Sequence, residues 1–285
     1  MKLALYIVPL LVNLSHSQTS SYNNRDVNDI SKELTKVYGD NSKTVAKGKV
    51  KQISETHYFK ISGIDKFMLG EKKIFEYNID GNMDKAVLDP ETLSFVHKYS
   101  YDENRRLMEE NLYMEDTHLR RTTYMYNSAD KVIEIVSFDH EKKPFLKIVY
   151  AYSNNQETIS QYAETDTISI VVKTYNENKL KVKETGRYHF FGIQRYITTY
   201  TYDKSNRLVN TIHTETVEPV QKIDIKYSYD AFDNLISVKY ISLPENKTEY
   251  DNYSYQIDSF GNWISMIYNG KKDEFKIERK IEYWE

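Results

Sequence analysis

Cysteine is absent from all 285 residues, which excludes disulfides, thiol chemistry and anchoring through a lipid-modified cysteine. Glycine is scarce: nine residues, widely dispersed. No P-loop, G-x-G-x-x-G or G-x-S-x-G elbow occurs, so phosphate cradles and the α/β-hydrolase nucleophile have no counterpart. Neither sign of charge dominates. The 39 basic and 42 acidic residues nearly cancel and are scattered, whereas nucleic-acid binding needs a basic stripe. Long apolar runs are also missing. Leu3 to Val12 is uncharged and apolar, but ten residues are too few to cross a bilayer as a helix.

That short run has another reading. Lys2 precedes it as a positive n-region, and Ser15 and Ser17 stand where a signal peptidase reads small residues. Cleavage is expected after Ser17, leaving 38 basic against 42 acidic residues, a net charge of −4. The mature chain is then secreted, periplasmic or held at the cell surface. The alternative for residues 1–17 is a buried N-terminal helix.

Tyrosine is abundant, with 26 residues, and it is periodic. From residue 75 onward a tyrosine pair or near-pair, then Asp or Asn, a short polar stretch and an aliphatic residue recur. Examples are Tyr99-Ser100-Tyr101-Asp102, Tyr200-Thr201-Tyr202-Asp203 and Tyr227-Ser228-Tyr229-Asp230. The marking residues are Tyr77, Tyr101, Tyr126, Tyr152, Tyr175, Tyr202, Tyr229, Tyr255 and Tyr283, spaced by 24, 25, 26, 23, 27, 27, 26 and 28. Six residues after the tyrosine come Met83, Leu107, Val132, Leu208 and Leu235, with Trp263 displaced by a two-residue insertion. The following position is also apolar in five copies, which predicts apolar residues on both faces at the start of that strand.

Each copy predicts a β-hairpin. A period of two puts both rings of Tyr-x-Tyr on one face, the Asp or Asn initiates a turn, and Asp80-Gly81 is a hairpin dipeptide. A period of about 26 residues accommodates two strands and two connections. Ahead of the repeats, Val27, Ile30, Leu34 and Val37 predict one short helix stopped by Gly39, and residues 43–74 predict strands of a capping unit. The predicted organisation is 1–17 signal peptide, 18–74 lead-in, helix and cap, and 75–285 hairpin repeats. The predicted fold class is all-β: tandem antiparallel β-hairpin repeats in a long coiled or rolled sheet. A flat ribbon of about sixteen strands would expose roughly 2,000 Å² on one face, too much for a soluble monomer.

The segments Tyr200 to Leu208, with Tyr-x-Tyr-Asp then Asn-Arg-Leu, and Tyr227 to Leu235, with Asp-Asn-Leu, resemble the YD repeats of the rearrangement-hot-spot (RHS) family. The resemblance covers about 75–285 and implies bacterial secretion and, in large members, strands spiralling into a shell around a toxin. This chain differs in its few copies, in degenerate copies at Tyr152 and Tyr175, and in lacking a non-repeat C-terminal segment. The resemblance supplies no activity.

Chemistry-bearing motifs are sparse. The seven histidines form neither H-E-x-x-H nor a close pair, so no metal site is expected, and no cofactor or catalytic residue is assigned. Asn78 to Asp84 alternates oxygen ligands as a calcium loop does, but its glycine is fourth instead of sixth, and Asp89 stands where a bidentate Glu is needed. A hairpin turn is the simpler reading. Paired acids such as Glu109-Glu110, or Asp84 with Asp89, are the only hint of glycoside hydrolysis. A porin-like barrel matches the strand count, yet Lys226, Lys239, Lys280 and Glu282 interrupt the apolar band a membrane wall needs. The expectation is a secreted, non-catalytic binding or structural repeat protein, not membrane-spanning, that contacts a glycan or protein through a tyrosine-rich sheet face. The alternative is a secreted, glycosidase-like hydrolase with its site inside the rolled sheet.

Overall fold

A computed structural model of the chain describes residues 48–60, 66–88, 94–164, 166–189, 194–216, 220–270 and 274–285. The expected signal peptide and helix lie outside these residues. Eighteen strands follow one another: β1 Val50–Lys60, β2 Phe67–Tyr77, β3 Met83–Leu88, β4 Phe95–Tyr101, β5 Leu107–Met114, β6 Thr117–Tyr126, β7 Val132–Phe138, β8 Pro144–Ser153 and β9 Gln156–Ala163. The second half comprises β10 Asp166–Tyr175, β11 Lys181–Tyr188, β12 Gln194–Tyr202, β13 Leu208–Glu215, β14 Lys222–Tyr229, β15 Leu235–Leu243, β16 Lys247–Ile257, β17 Trp263–Asn269 and β18 Glu274–Tyr283. Each pairs antiparallel with its sequence neighbours. The last strand pairs with the first, from Val50 opposite Tyr283 to Phe59 opposite Phe275, so the sheet closes into a barrel.

The expected hairpins are present, and each marking tyrosine lies at or near the end of an even-numbered strand. The strand count exceeds the expected sixteen because β1 and β2 are full staves of the wall. β2 runs across positions 74 and 75, joining the segment ahead of the repeats to them in one sheet.

The turn chemistry explains why the period is kept. Asp102 Oδ1 accepts the backbone N–H groups of Asn104 and Arg106, both at 2.9 Å. Asn78, Asn127, Asp203, Asp230 and Asp258 do the same two and four residues on. The residue closing each turn has a left-handed backbone: Gly81, Arg105, Asp130, Lys179, Asn206, Asp233 and Gly261, with φ from 57° to 83°. A type I turn followed by a left-handed residue makes a bulged hairpin, and the register slips one residue at Tyr77, Tyr101, Tyr126, Tyr202 and Tyr229. At this bulge the two successive apolar residues of the Tyr101 and Tyr229 copies differ in burial. Leu107 and Leu235 are buried, while Met108 and Ile236 are 40% and 36% exposed. These turns form one rim of the barrel, the crown.

The two faces of the sheet differ in chemistry. β14 reads Lys-Ile-Asp-Ile-Lys-Tyr-Ser-Tyr, and its register places Ile225 and Tyr227 beside Thr211, Val238 and Tyr240. The buried residues Ile53, Phe75, Ala86, Thr122, Ser137, Thr198, Thr211, Val238, Tyr253, Met266, Tyr268 and Ile277 share this face. It is the concave, inner face, where side chains converge. Two clusters pack on it near the closing seam. One joins Leu235, Val238, Tyr253, Trp263, Met266, Tyr268 and Ile277, and the other joins Val50, Ile53, Phe75, Tyr77, Met83 and Ala86.

The outer face carries ion pairs, among them Lys60 with Glu274 at 2.9 Å, Lys85 with Glu76 at 3.5 Å, Arg121 with Glu109 at 2.5 Å and Lys147 with Glu134 at 2.5 Å. Eighteen strands spaced about 4.8 Å apart and tilted by about 40° have a round circumference of roughly 113 Å, hence a radius of about 18 Å. Side chains cannot bridge such a section, so inner residues pack against neighbours along the wall.

Candidate functional site: the inner wall

All nine marking tyrosines stand on the inner face at the crown. In six of them the hydroxyl locks one hairpin to the one before it. Tyr101 donates to Met83 O (2.6 Å), Tyr126 to Leu107 O (2.8 Å), Tyr152 to Val132 O (2.7 Å), Tyr202 to Lys181 O (2.8 Å), Tyr229 to Leu208 O (2.9 Å) and Tyr255 to Leu235 O (3.0 Å). The acceptor is mostly the residue six after the previous marking tyrosine. Because a backbone carbonyl accepts, Lys181 serves as well as leucine does.

Two copies deviate. Tyr175 donates to the Glu157 carboxylate (2.6 Å), because a tight Asn154-Asn155 connection replaces the usual turn there, and Tyr283 donates to Asp258 (2.8 Å). Tyr77 packs in the seam cluster. Burial, reinforced by the charge of Asp84, pushes the ionisation of Tyr101 upward, so the hydroxyl remains a donor.

Cations complete the crown. Arg106 donates to its own turn residue Asp102 (2.6 Å) and to Asp130 of the next turn (2.7 Å), and its guanidinium lies 5.0 Å over the Tyr126 ring. Arg207 repeats this with Asp203, Asp233 and Tyr229.

Deeper on the wall and away from the closing seam, polar groups gather around Glu110 and Glu184. Glu110 of β5 sits between His97 Nδ1 (2.6 Å), Arg120 (3.3 Å) and the Tyr124 hydroxyl (3.3 Å), with Tyr99 stacked on His97. Burial opposes its charge, but the His97 bond and the Arg120 charge hold Glu110 below the usual carboxylate range. Burial and the Glu110 charge push Tyr99 and Tyr124 upward. The second node is Glu184, bonded to Lys181 (2.9 Å) and to the Tyr196 hydroxyl (2.9 Å). Tyr196 stacks on Tyr188 and lies against His213, whose Nδ1 meets Thr198 Oγ1 at 2.9 Å. Burial and nearby phenols raise Tyr196.

Both nodes join residues from three or more strands, and sequence spacing had no signal for either beyond the 13-residue hairpin separation of His97 and Glu110.

Of the acid pairs singled out by sequence, Glu109 and Glu110 are split by the pleat. Glu109 bonds Asn111 and Arg121 on the outside, while Glu110 faces inward. Asp84 accepts from Asn78 (3.3 Å), and Asp89 lies outside the described residues. In the calcium-like stretch, Asn78 Oδ1 is occupied by the N–H groups of Asp80 and Asn82. The wall thus presents protonated phenols and ionised, cation-bonded carboxylates, suited to hydrogen bonding and ring stacking.

No protein-family model and no curated protein sequence matches the chain. Among solved structures, the TcdB2-TccC3-Cdc42 complex is similar at 15% identity and a TM-score of 0.41, over 70% of this chain and 12% of that one. A porin-like protein from Bacteroides uniformis is similar at 10% identity and a TM-score of 0.41, over 82% of this chain and 96% of that one. The Tc holotoxin pore of Photorhabdus luminescens is similar at 14% identity and a TM-score of 0.34, over 75% of this chain and 15% of that one. This chain therefore spans a small fraction of the toxin chains and nearly the whole length of the porin-like one. Likeness at this level assigns neither a family nor a function.

Proposed function

We propose that this is an exported, non-catalytic binding protein of the YD-repeat type, whose barrel receives a glycan or a protein segment on its tyrosine-rich inner wall. The observation that carries the reading is the asymmetry of that wall. Around the seam the inner side chains are packed into clusters, whereas on β6 to β12 tyrosines such as Tyr124, Tyr150 and Tyr200 stay half-buried beside bonded acids and cations. Flat rings with polar tips, repeated along a wall, suit an extended ligand better than a single reacting bond does.

The outer wall supports an aqueous setting. Outward positions on β14 and β18 include Lys222, Asp224, Lys226, Lys276, Glu278 and Lys280, and charges at such depth on a lipid face are costly. Signal features before Gln18 support export.

Glycan-array or pull-down binding should weaken stepwise as Tyr124, Tyr150 and Tyr200 are changed to alanine. Turnover of a glycoside abolished by Glu110→Gln, with circular dichroism unchanged, would replace this reading with the hydrolase.

A further inference from the structure

Among the described residues of the outer wall, one opposed pair of cations lacks a counterpart on both sides. Arg187 on β11 and Arg195 on β12 are directly opposite one another in the register. Like charges in that relation repel. Neither guanidinium has an ion pair or ring contact among the described residues.

Among the described residues the wall has two other opposed cation pairs, and in each at least one cation has a counterpart. In one, Lys85 binds Glu76 and Lys98 lies over the Tyr113 ring; in the other, Lys239 lies over the Tyr250 ring beside Lys226. Arg187 and Arg195 instead flank a depression of about 590 Å³ lined by Ile170, Val172, Thr185 and Ile197, with Gly186, Tyr196 and Thr216 at its margin. Ile170 is the register partner of Arg187 on its other side, and Thr185 that of both Val172 and Ile197. Apolar floor and cation pair are therefore contiguous, and Ile197 is 38% exposed.

We propose that this depression is a second binding site for a small anionic amphiphile. The acid group sits between the two guanidinium groups, which present planar donor forks to phosphate or carboxylate oxygens. The aliphatic part lies over Ile170, Val172 and Ile197. The occupant is a single free molecule and not a bilayer, because the apolar surface is confined to Ile170, Val172 and Ile197 and is interrupted by the exposed charges of Lys183, Arg187 and Arg195.

Decyl phosphate below its micellar concentration is the probe, titrated calorimetrically into the full chain. Saturable one-to-one binding is expected, at least tenfold tighter than inorganic phosphate or decanol. The R187Q/R195Q variant should lose at least tenfold in affinity, while K226Q/K239Q, which alters another opposed pair, stays within twofold. Wild-type affinity in R187Q/R195Q, several equivalent sites, or binding only to phosphatidylglycerol vesicles would overturn the assignment. If R187Q/R195Q fails to fold, amide chemical-shift changes in the wild type decide instead: confined to β10 to β12 they support the site, and spread elsewhere they refute it.

Discussion

At the scale of single residues, the marking tyrosine does two jobs: its ring buries area on the inner face, and its hydroxyl ties one hairpin to the last. A hydrogen bond to a backbone carbonyl contributes about 1 kcal/mol net, so Tyr126→Phe, Tyr202→Phe and Tyr229→Phe should each lower denaturant stability by about that amount, with little change in fold. Tyr→Ala at the same sites removes the ring as well and should cost more, up to roughly 3 kcal/mol where the ring is well buried.

Tyr101, whose ionisation is pushed up by burial and by Asp84, adds a pH signature. Its contribution is complete below pH 10, the ordinary phenol value, and is lost as pH rises through the raised folded value. Absorbance titration should show the phenolate of the Tyr101 ring forming later than that of free tyrosine, and the delay should vanish in denaturant. Arg187 works in the opposite sense. Removing one of two opposed cations should stabilise the wall by about 0.5 kcal/mol, and a fall in stability for Arg187→Gln would show that the repulsion is already relieved.

At the scale of the element, the hairpin is specified by its turn and by what lies over its strands. Gly186 of β11 sits beneath Tyr196: a Cβ there would stand 2.1 Å from the ring, which is an aromatic side chain covering a glycine on the adjacent strand. Gly186→Ala should therefore cost about 1–3 kcal/mol through overpacking and displace Tyr196 from Glu184, readable as a changed near-ultraviolet spectrum. A silent substitution would mean that the ring does not rest on the glycine. The turns are more tolerant where glycine is absent. Arg105, Asn206 and Asp233 hold left-handed backbones because the side-chain oxygens of Asp102, Asp203 and Asp230 bind the turn from within. Asp203→Ala should lower the melting temperature, whereas Asn206→Gly, which suits the same backbone, should raise it.

At the scale of the whole molecule, closure is the decisive event, and a buried ion pair marks it. Glu55 on β1 and Arg279 on β18 are register partners, 2% and 8% exposed, joined at 2.7 Å. The Arg279 guanidinium lies 3.2 Å over the Trp263 ring, and His57 bonds the other oxygen of Glu55 at 3.0 Å. Breaking one side strands a buried charge, so Arg279→Leu should destabilise by about 3–5 kcal/mol, and Glu55→Gln/Arg279→Met by distinctly less. Equal effects would show that the pair is not coupled.

Burial opposes ionisation of Glu55, but His57 and Arg279 hold it below the ordinary value of 4.5. A lowered acid contributes fully above that value and loses its contribution as pH falls through the folded one. The seam should accordingly open on acidification below about pH 4.5, seen as earlier hydrogen exchange in β1 and β18 than in β6 to β8. Uniform exchange would remove the seam as the weak point.

The repeat, its period, the strand-turn-strand reading and the identity of the marking tyrosines were all legible in the sequence. Period-two alternation and the turn preferences of Asp and Asn act locally, within one hairpin. Closure was not legible, because the pairing of Val50 to Phe59 with Phe275 to Tyr283 joins residues more than 200 positions apart and carries no local signature. Nor were the Glu110 and Glu184 nodes, whose members come from neighbouring strands and meet only once register and face are settled. Arg187 and Arg195 were eight residues apart in plain view, yet only the pairing of β11 with β12 made them neighbours. Local chemistry determined what each hairpin is. The tertiary structure alone decided how many staves join, which face turns inward, and which charges are left to meet one another.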